Sequence, residues 1–107
     1  MVLEHVTSRW GVLVLAALRE RSYRFSELRR QVGGVSEKML AQTLQTLERD
    51  GFVDRDAKPV IPPRVDYSLT TMGQEVAEQV WGITRWVEGR LDDVFEAREA
   101  YDGTRGS

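Results

Sequence analysis

Four side chains on one stretch of this sequence have the chemistry to read a DNA duplex. With Ser36 to Asp50 drawn as a helix at about 100° per residue, Lys38, Gln42, Gln45 and Arg49 fall within about 60° of one another. Glutamine offers adenine a donor and an acceptor at once, and lysine reaches guanine acceptors or phosphate. Met39 lies on the flank and suits a thymine methyl. The small Ala41 lets the backbone come close. Leu40, Leu44 and Leu47 cluster on the opposite side, where they face a core. A merely solvated polar face is the alternative for any such helix.

Other residues suit phosphate. Ser26 and Ser36 sit at expected helix starts, where free backbone N–H groups hold anions and the hydroxyls cap. Arg24, Arg29 and Arg30 surround the short helix before the turn. Lys58 and Arg64 flank a proline loop, and an arginine there can grip a minor groove or its phosphates. The alternative for Arg64 is a salt bridge to Asp66 or Asp56. Catalysis has little support. His5 is the one histidine and reads as a surface residue; no GxSxG, HExxH or phosphate loop occurs. No metal site, cofactor or enzyme activity is expected.

Positioning these residues takes a run of short elements. A first helix spans about Ser8 to Glu20, with Ser8 or Thr7 as cap and Trp10, Leu13, Val14, Ala17 and Leu18 on its buried face. Tyr23 to Phe25 is briefly extended. Ser26 caps a two-turn helix with Phe25, Leu28 and Val32 inward, and Arg29 stands where a capping box wants glutamate. Gly33-Gly34 turns the chain. Ser36 starts the third helix and Gly51 stops it. Strands follow at Phe52 to Arg55 and at Val65 to Leu69. Between them, Asp56 to Arg64 carries Pro59, Pro62 and Pro63, which stiffen a wing loop.

After Thr70 or Thr71, one long helix is expected over 71–98. Its stripe is Met72, Val76, Val80, Ile83, Val87, Leu91 and Val94. Trp81 and Phe95 lie off that stripe, so the helix touches its own domain and a second body. Val80, Trp81, Ile83, Val87, Leu91 and Phe95 are the candidate dimer contacts. Gly82 and Gly89 either permit close helix approach or are tolerated weak spots. Residues 102–107 read as a flexible tail.

Composition sets bounds. The 107 residues carry a net charge of −2, 41% hydrophobic and 30% charged residues, and no cysteine. They read as one folded domain with no disulfide, no thiolate metal ligand, no membrane span and no secretory leader, and the cytoplasm is the expected home. Charge is uneven. Arg19 to Arg64 holds ten Lys/Arg against seven Asp/Glu, whereas Val65 to Ser107 holds four against nine. Local potential governs phosphate attraction, because screening limits its reach to about 8–10 Å.

Three segments resemble the HxlR family of winged-helix transcription regulators: RWGVLVLAAL (Arg9 to Leu18), RFSELRRQVGGVSEKMLAQTLQTLERDGFVDR (Arg24 to Arg55) and PPRVDYSLTTMG (Pro62 to Gly73). The resemblance implies a dimer whose terminal helices pack together, with two recognition helices in successive major grooves. Three departures stand out. Many members carry a cysteine before the first matched helix, and some sense oxidants with it; none is present here. Thr43 and Gln45 stand where arginine is frequent, and Lys58-Pro59-Val60-Ile61 is less acidic than usual in its place.

The expected fold is mainly α with a small antiparallel β wing (α+β). It comprises a winged helix-turn-helix over 8–70 and a C-terminal dimerisation helix over 71–98. The expected function is a homodimeric, sequence-specific DNA-binding regulator on a near-palindrome, with helix 36–50 in the major groove and wing 56–64 on the flank. The DNA-contacting set is Arg24, Ser26, Ser36, Lys38, Met39, Gln42, Gln45, Arg49, Lys58 and Arg64. The alternative is a winged-helix protein-interaction module without DNA binding. Trp10, Trp81, Trp86 and Tyr101 could line an effector pocket at the dimer seam, or simply form interface core.

Overall fold

A computed structural model describes residues 1–105. Its order is α1 (Val2–Thr7), α2 (Arg9–Glu20), β1 (Tyr23–Arg24), α3 (Phe25–Val32), α4 (Glu37–Arg49), β2 (Val53–Lys58), β3 (Arg64–Leu69), α5 (Thr71–Gly89) and α6 (Leu91–Arg105). The three strands form one antiparallel sheet in the order β1-β3-β2. Tyr23 pairs with Tyr67, and the β2–β3 ladder runs from Val53 opposite Leu69 to Lys58 opposite Arg64. The ladder therefore takes in Asp56, Ala57, Lys58 and Arg64, which were expected in the loop. Only residues 59–63 are left to turn.

The helices form where local signals place them. Ser8 Oγ accepts from Gly11 N at 3.1 Å and Ser36 Oγ from Met39 N at 3.1 Å. Thr70 Oγ1 accepts from Gly73 N at 3.0 Å, which settles the choice against Thr71 as cap. Helix α4 ends with two crossed bonds, Gly51 N to Glu48 O at 3.0 Å and Phe52 N to Leu47 O at 2.9 Å. That arrangement needs a left-handed residue, and Gly51 supplies it at φ +86°. The chain leaves α4 in the direction of β2.

Three local expectations are corrected. Helix α3 starts at Phe25, so Ser26 is its second residue and not its cap; Glu27 Oε1 instead accepts from Arg24 N at 3.0 Å. Within α2, Leu13 is 37% exposed whereas Leu15 is fully buried. Val12 to Leu18 is so uniformly apolar that periodicity alone does not choose the face. Helix α1, which the sequence did not reveal, packs on α2 and α4.

The core gathers Val14, Leu15, Leu28, Leu40, Leu44 and Leu47, all at most 1% exposed. It sits where α2 meets α3, α4, α5 and the sheet. The C-terminal helix is not continuous. It breaks after Gly89 at Arg90 (φ −117°, ψ 10°), whose N–H turns back to Val87 O at 3.0 Å. Helix α6 restarts at Leu91 and runs to Arg105, so residues 102–105 are helical and not a tail; 106 and 107 lie outside the described residues. Because α6 packs chiefly on α5, the molecule extends to 65 × 26 × 25 Å.

Gly73 marks a close passage between α5 and Phe52. A Cβ there would meet the Phe52 carbonyl oxygen, well inside contact distance. Gly73→Ala is therefore expected to lower the unfolding free energy by about 1–3 kcal/mol, read from urea midpoints. Gly82→Ala, with open space at its Cβ, is expected to be neutral or stabilising by up to about 1 kcal/mol. Equal effects of the two would contradict the close α5–Phe52 approach.

Candidate nucleic-acid interface

Helix α4 carries the candidate reading face. Its 13 residues span about 20 Å at about 1.5 Å each. Leu40, Leu44 and Leu47 point into the core, and Lys38, Met39, Ala41, Gln42, Gln45 and Arg49 are exposed. The hydroxyls of Thr43 and Thr46 donate back to Met39 O and Gln42 O at 2.8 and 3.0 Å, so they are occupied. Among the described residues, the side chains of Lys38, Gln42, Gln45 and Arg49 make no hydrogen bond or ion pair. The expected face exists, and its polar groups have no protein partner.

What flanks that face is less simple. On one side, Glu4 and His5 of α1 and the following Ser8 line a cleft with Met39, Gln42, Thr43 and Thr46. His5 is not a free surface residue. Its Nδ1 lies 2.5 Å from Oδ2 of Asp50, the C-cap of α4, whose side chain is only 12% exposed. The two residues stand 45 positions apart, so no local spacing could reveal the pair. It fastens α1 to the end of the candidate recognition helix.

The turn before α4 is likewise tied. Gly33 and Gly34 both take φ +72°. Arg29 donates from Nε to Val35 O at 3.1 Å and pairs through a terminal nitrogen with Glu37 at 3.4 Å. It braces the turn, so it is not a free phosphate clamp. Arg24 lies 3.6 Å from the Glu27 carboxylate. Arg30 makes no such bond and lines a groove of about 630 Å³ with Ser26 and Ser36, at the starts of α3 and α4. Glu27 accepts the Arg24 N–H and faces Arg21 and Arg24. The backbone bond, followed by those two charges, holds its pKa below the ordinary 4.5.

At the wing, both cations named from the sequence have carboxylate partners. Lys58 Nζ lies 2.6 Å from Asp56 Oδ2, and Arg64 Nε lies 3.0 Å from Asp66 Oδ1. Asp66, not Asp56, is the partner of Arg64. Hydrogen bonding to Asp56, reinforced by its charge, raises the Lys58 pKa above its ordinary 10.5. The tip itself is apolar, with Ile61 fully exposed between prolines.

The candidate dimer surface also needs correction. Val80 is 7% exposed and belongs to the chain's own core. Trp81 is half-buried, with the Arg19 guanidinium 5.3 Å from its ring. Ile83, Trp86, Val87, Leu91 and Phe95 are exposed along α5 and α6. Trp81 lines a shallow cleft with Leu13 and Val32 that Trp10, Trp86 and Tyr101 do not enter.

Two-turn helix, tight turn, outward-facing helix and paired strands together define a winged helix-turn-helix protein. The family profile described as HxlR-like helix-turn-helix matches residues 5–95. The HTH-type transcriptional regulator YtfH of Escherichia coli (strain K12) is 60% identical over 98 residues, 92% of this chain and 78% of that protein. The solved ytfH of Salmonella typhimurium is 58% identical with a TM-score of 0.84, covering 92% of this chain and 88% of that one. The redox regulator HypR in its reduced form is 29% identical with a TM-score of 0.82, over 89% and 94% of the two chains. The chain belongs to the HxlR family. It is a transcriptional regulator with a helix-turn-helix DNA-binding fold, and the family and these relatives are regulators rather than enzymes.

The Glu27 cap gives a pH expectation. A carboxylate whose pKa is depressed in the folded state stabilises above its unfolded pKa and loses that contribution as pH falls through the folded value. Glu27→Gln should therefore be less stable than wild type near pH 7, with the gap closing as pH falls through the depressed folded-state pKa. Thermal melts across pH 2.5–7 (chosen to bracket the carboxylate range) check this. A gap that persists unchanged at the acid end would contradict the assignment.

Proposed function

We propose that the protein acts as a homodimer on a near-palindromic operator in the cytoplasm. Helix α4 enters the major groove and the wing over 56–64 lies on the flank. Lys38, Gln42 and Gln45 contact bases, and Met39 touches a thymine methyl. Ser36 and Arg49 help to seat the helix, as do Arg24 and Ser26 beside the turn. The supporting observation is the exposed, unpartnered set Lys38, Gln42, Gln45 and Arg49, in a molecule whose neighbouring polar groups are mostly engaged.

Support for the dimer comes from the exposed face of α5 and α6. Ile83, Trp86, Val87, Leu91 and Phe95 are large apolar side chains on helices that project from the core. Soluble monomers rarely leave such a surface open. Two α4 helices related by a two-fold demand half-sites about 34–36 Å apart, one turn of DNA. Arg64 serves the flank, but only by exchanging Asp66 for a phosphate.

Val87→Asp is expected to convert the dimer to a monomer in sedimentation at micromolar concentration; a dimer that persists would place the seam elsewhere. On an operator selected from a random pool, Gln42→Ala should change base preference, at about 1–3 kcal/mol per lost bidentate contact. Arg64→Ala should weaken operator and random duplex alike and flatten the salt dependence. Equal losses on both duplexes for both variants would contradict the division. No gel retardation by a folded dimer at low salt would favour the interaction module.

A further inference from the structure

We propose that the cleft between α4 and the wing sheet binds a backbone phosphate, with Arg55 as its cation and Tyr67 and Gln45 as its neutral hydrogen-bonding groups, and that this cleft rather than the wing tip is the main anchor on DNA. The proposal rests on the reading in which α4 enters the major groove.

The sheet sorts its charges by face, because alternate residues of a strand point to opposite sides. Asp56 and Lys58 share one face with their partners Asp66 and Arg64, and Arg24 stands opposite Asp66 across the other ladder. Each of those three cations already has a carboxylate within 3.6 Å. Arg55 lies on the other face, with buried Val53, and opposite Tyr67 in the ladder. It makes no ion pair or hydrogen bond among the described residues, and neither do the Tyr67 hydroxyl and the Gln45 amide.

These three unengaged groups line one cleft of about 400 Å³, together with Ala41, Leu44 and Glu48. The space accepts a phosphodiester and its waters. Its position follows from groove dimensions. A helix about 10–12 Å across fills a major groove about 12 Å wide. The two sugar-phosphate strands then lie directly against whatever flanks the helix. On the Gln45 side that flank is Arg55 and Tyr67. Gln45 belongs to both the reading face and the cleft, so a duplex seated on α4 brings a strand to Arg55 without further movement. Glu48 on the rim discourages a freely diffusing anion. A phosphate delivered by a docked duplex arrives at a high effective concentration and overcomes it.

The test is fluorescence anisotropy on the selected operator and on a random duplex, between roughly 50 and 200 mM salt. Arg55→Gln is expected to weaken both duplexes by a common factor of about ten. The log–log salt slope should fall by about 0.9 per protomer. Both effects should exceed those of Arg64→Gln and Lys58→Gln, and Tyr67→Phe should cause a smaller loss shared by both duplexes. Circular dichroism and melting establish that each variant is folded; should Arg55→Gln fail there, Arg55→Lys and Tyr67→Phe carry the test. Folded Arg55→Gln within twofold of wild type at unchanged slope would overturn the proposal, as would a loss confined to the operator. In that case intact wild-type binding leaves the major-groove reading standing. A wild-type protein that binds no duplex at all sinks both.

Discussion

Everything on the DNA-facing side depends on three leucines. Leu40, Leu44 and Leu47 are at most 1% exposed, and burial of each contributes about 1.5–3 kcal/mol. A domain's whole stability is about 5–15 kcal/mol, so the orientation of α4 is not adjustable. Helical geometry then leaves the opposite side chains no choice. With 3.6 residues per turn, sending those leucines inward sends Lys38, Gln42, Gln45 and Arg49 outward. The Ser36 cap, the Gly51 turn and the His5–Asp50 pair fix the ends of the same helix. Fold and candidate interface are thus one constraint seen from two sides.

The second organising fact is which polar groups are already engaged. Thr43 and Thr46 bond to their own helix, Arg29 braces the turn, and Lys58 and Arg64 hold Asp56 and Asp66. A group so engaged must give up a partner before it takes a phosphate or a base, and the exchange cancels much of the gain. Residue type alone does not reveal that Lys58 and Arg64 already hold carboxylates whereas Arg55 holds none among the described residues. Charge also acts locally: the acidic residues of α5 and α6 account for the negative total, whereas the segment around α3 and α4 carries the positive excess.

Where the sequence was legible, the deciding interaction was local. The leucine spacing of α4, the caps at Ser8, Ser36 and Thr70, the glycine stop at 51 and the prolines of the turn all act within a few residues. The misses were decided elsewhere in the chain. His5 gains its role from Asp50. Leu13 and Leu15 exchange roles because α2 is apolar on several sides and its neighbours choose the buried one. Val80 fits the apolar stripe as well as Ile83 does, yet only Val80 lies over the core. The break at Gly89 and Arg90 was hidden because the stripe carries across it in register. Arg55 looked like any strand residue until its face of the sheet was known.

HypR and the diamide-treated YodB of Bacillus subtilis share this fold with the chain. Redox regulation through a thiol has no residue to act on within these 107, which contain no cysteine. The shared part is the winged helix itself, with α4 as the proposed reading helix. Dimethyl sulfate protection on the selected operator reports where α4 sits, because guanine N7 lies in the major groove and adenine N3 in the minor. Guanine N7 is expected to be protected in two tracts about one helical turn apart. Tight binding that left every guanine N7 reactive and shielded only adenine N3 would contradict that placement of α4.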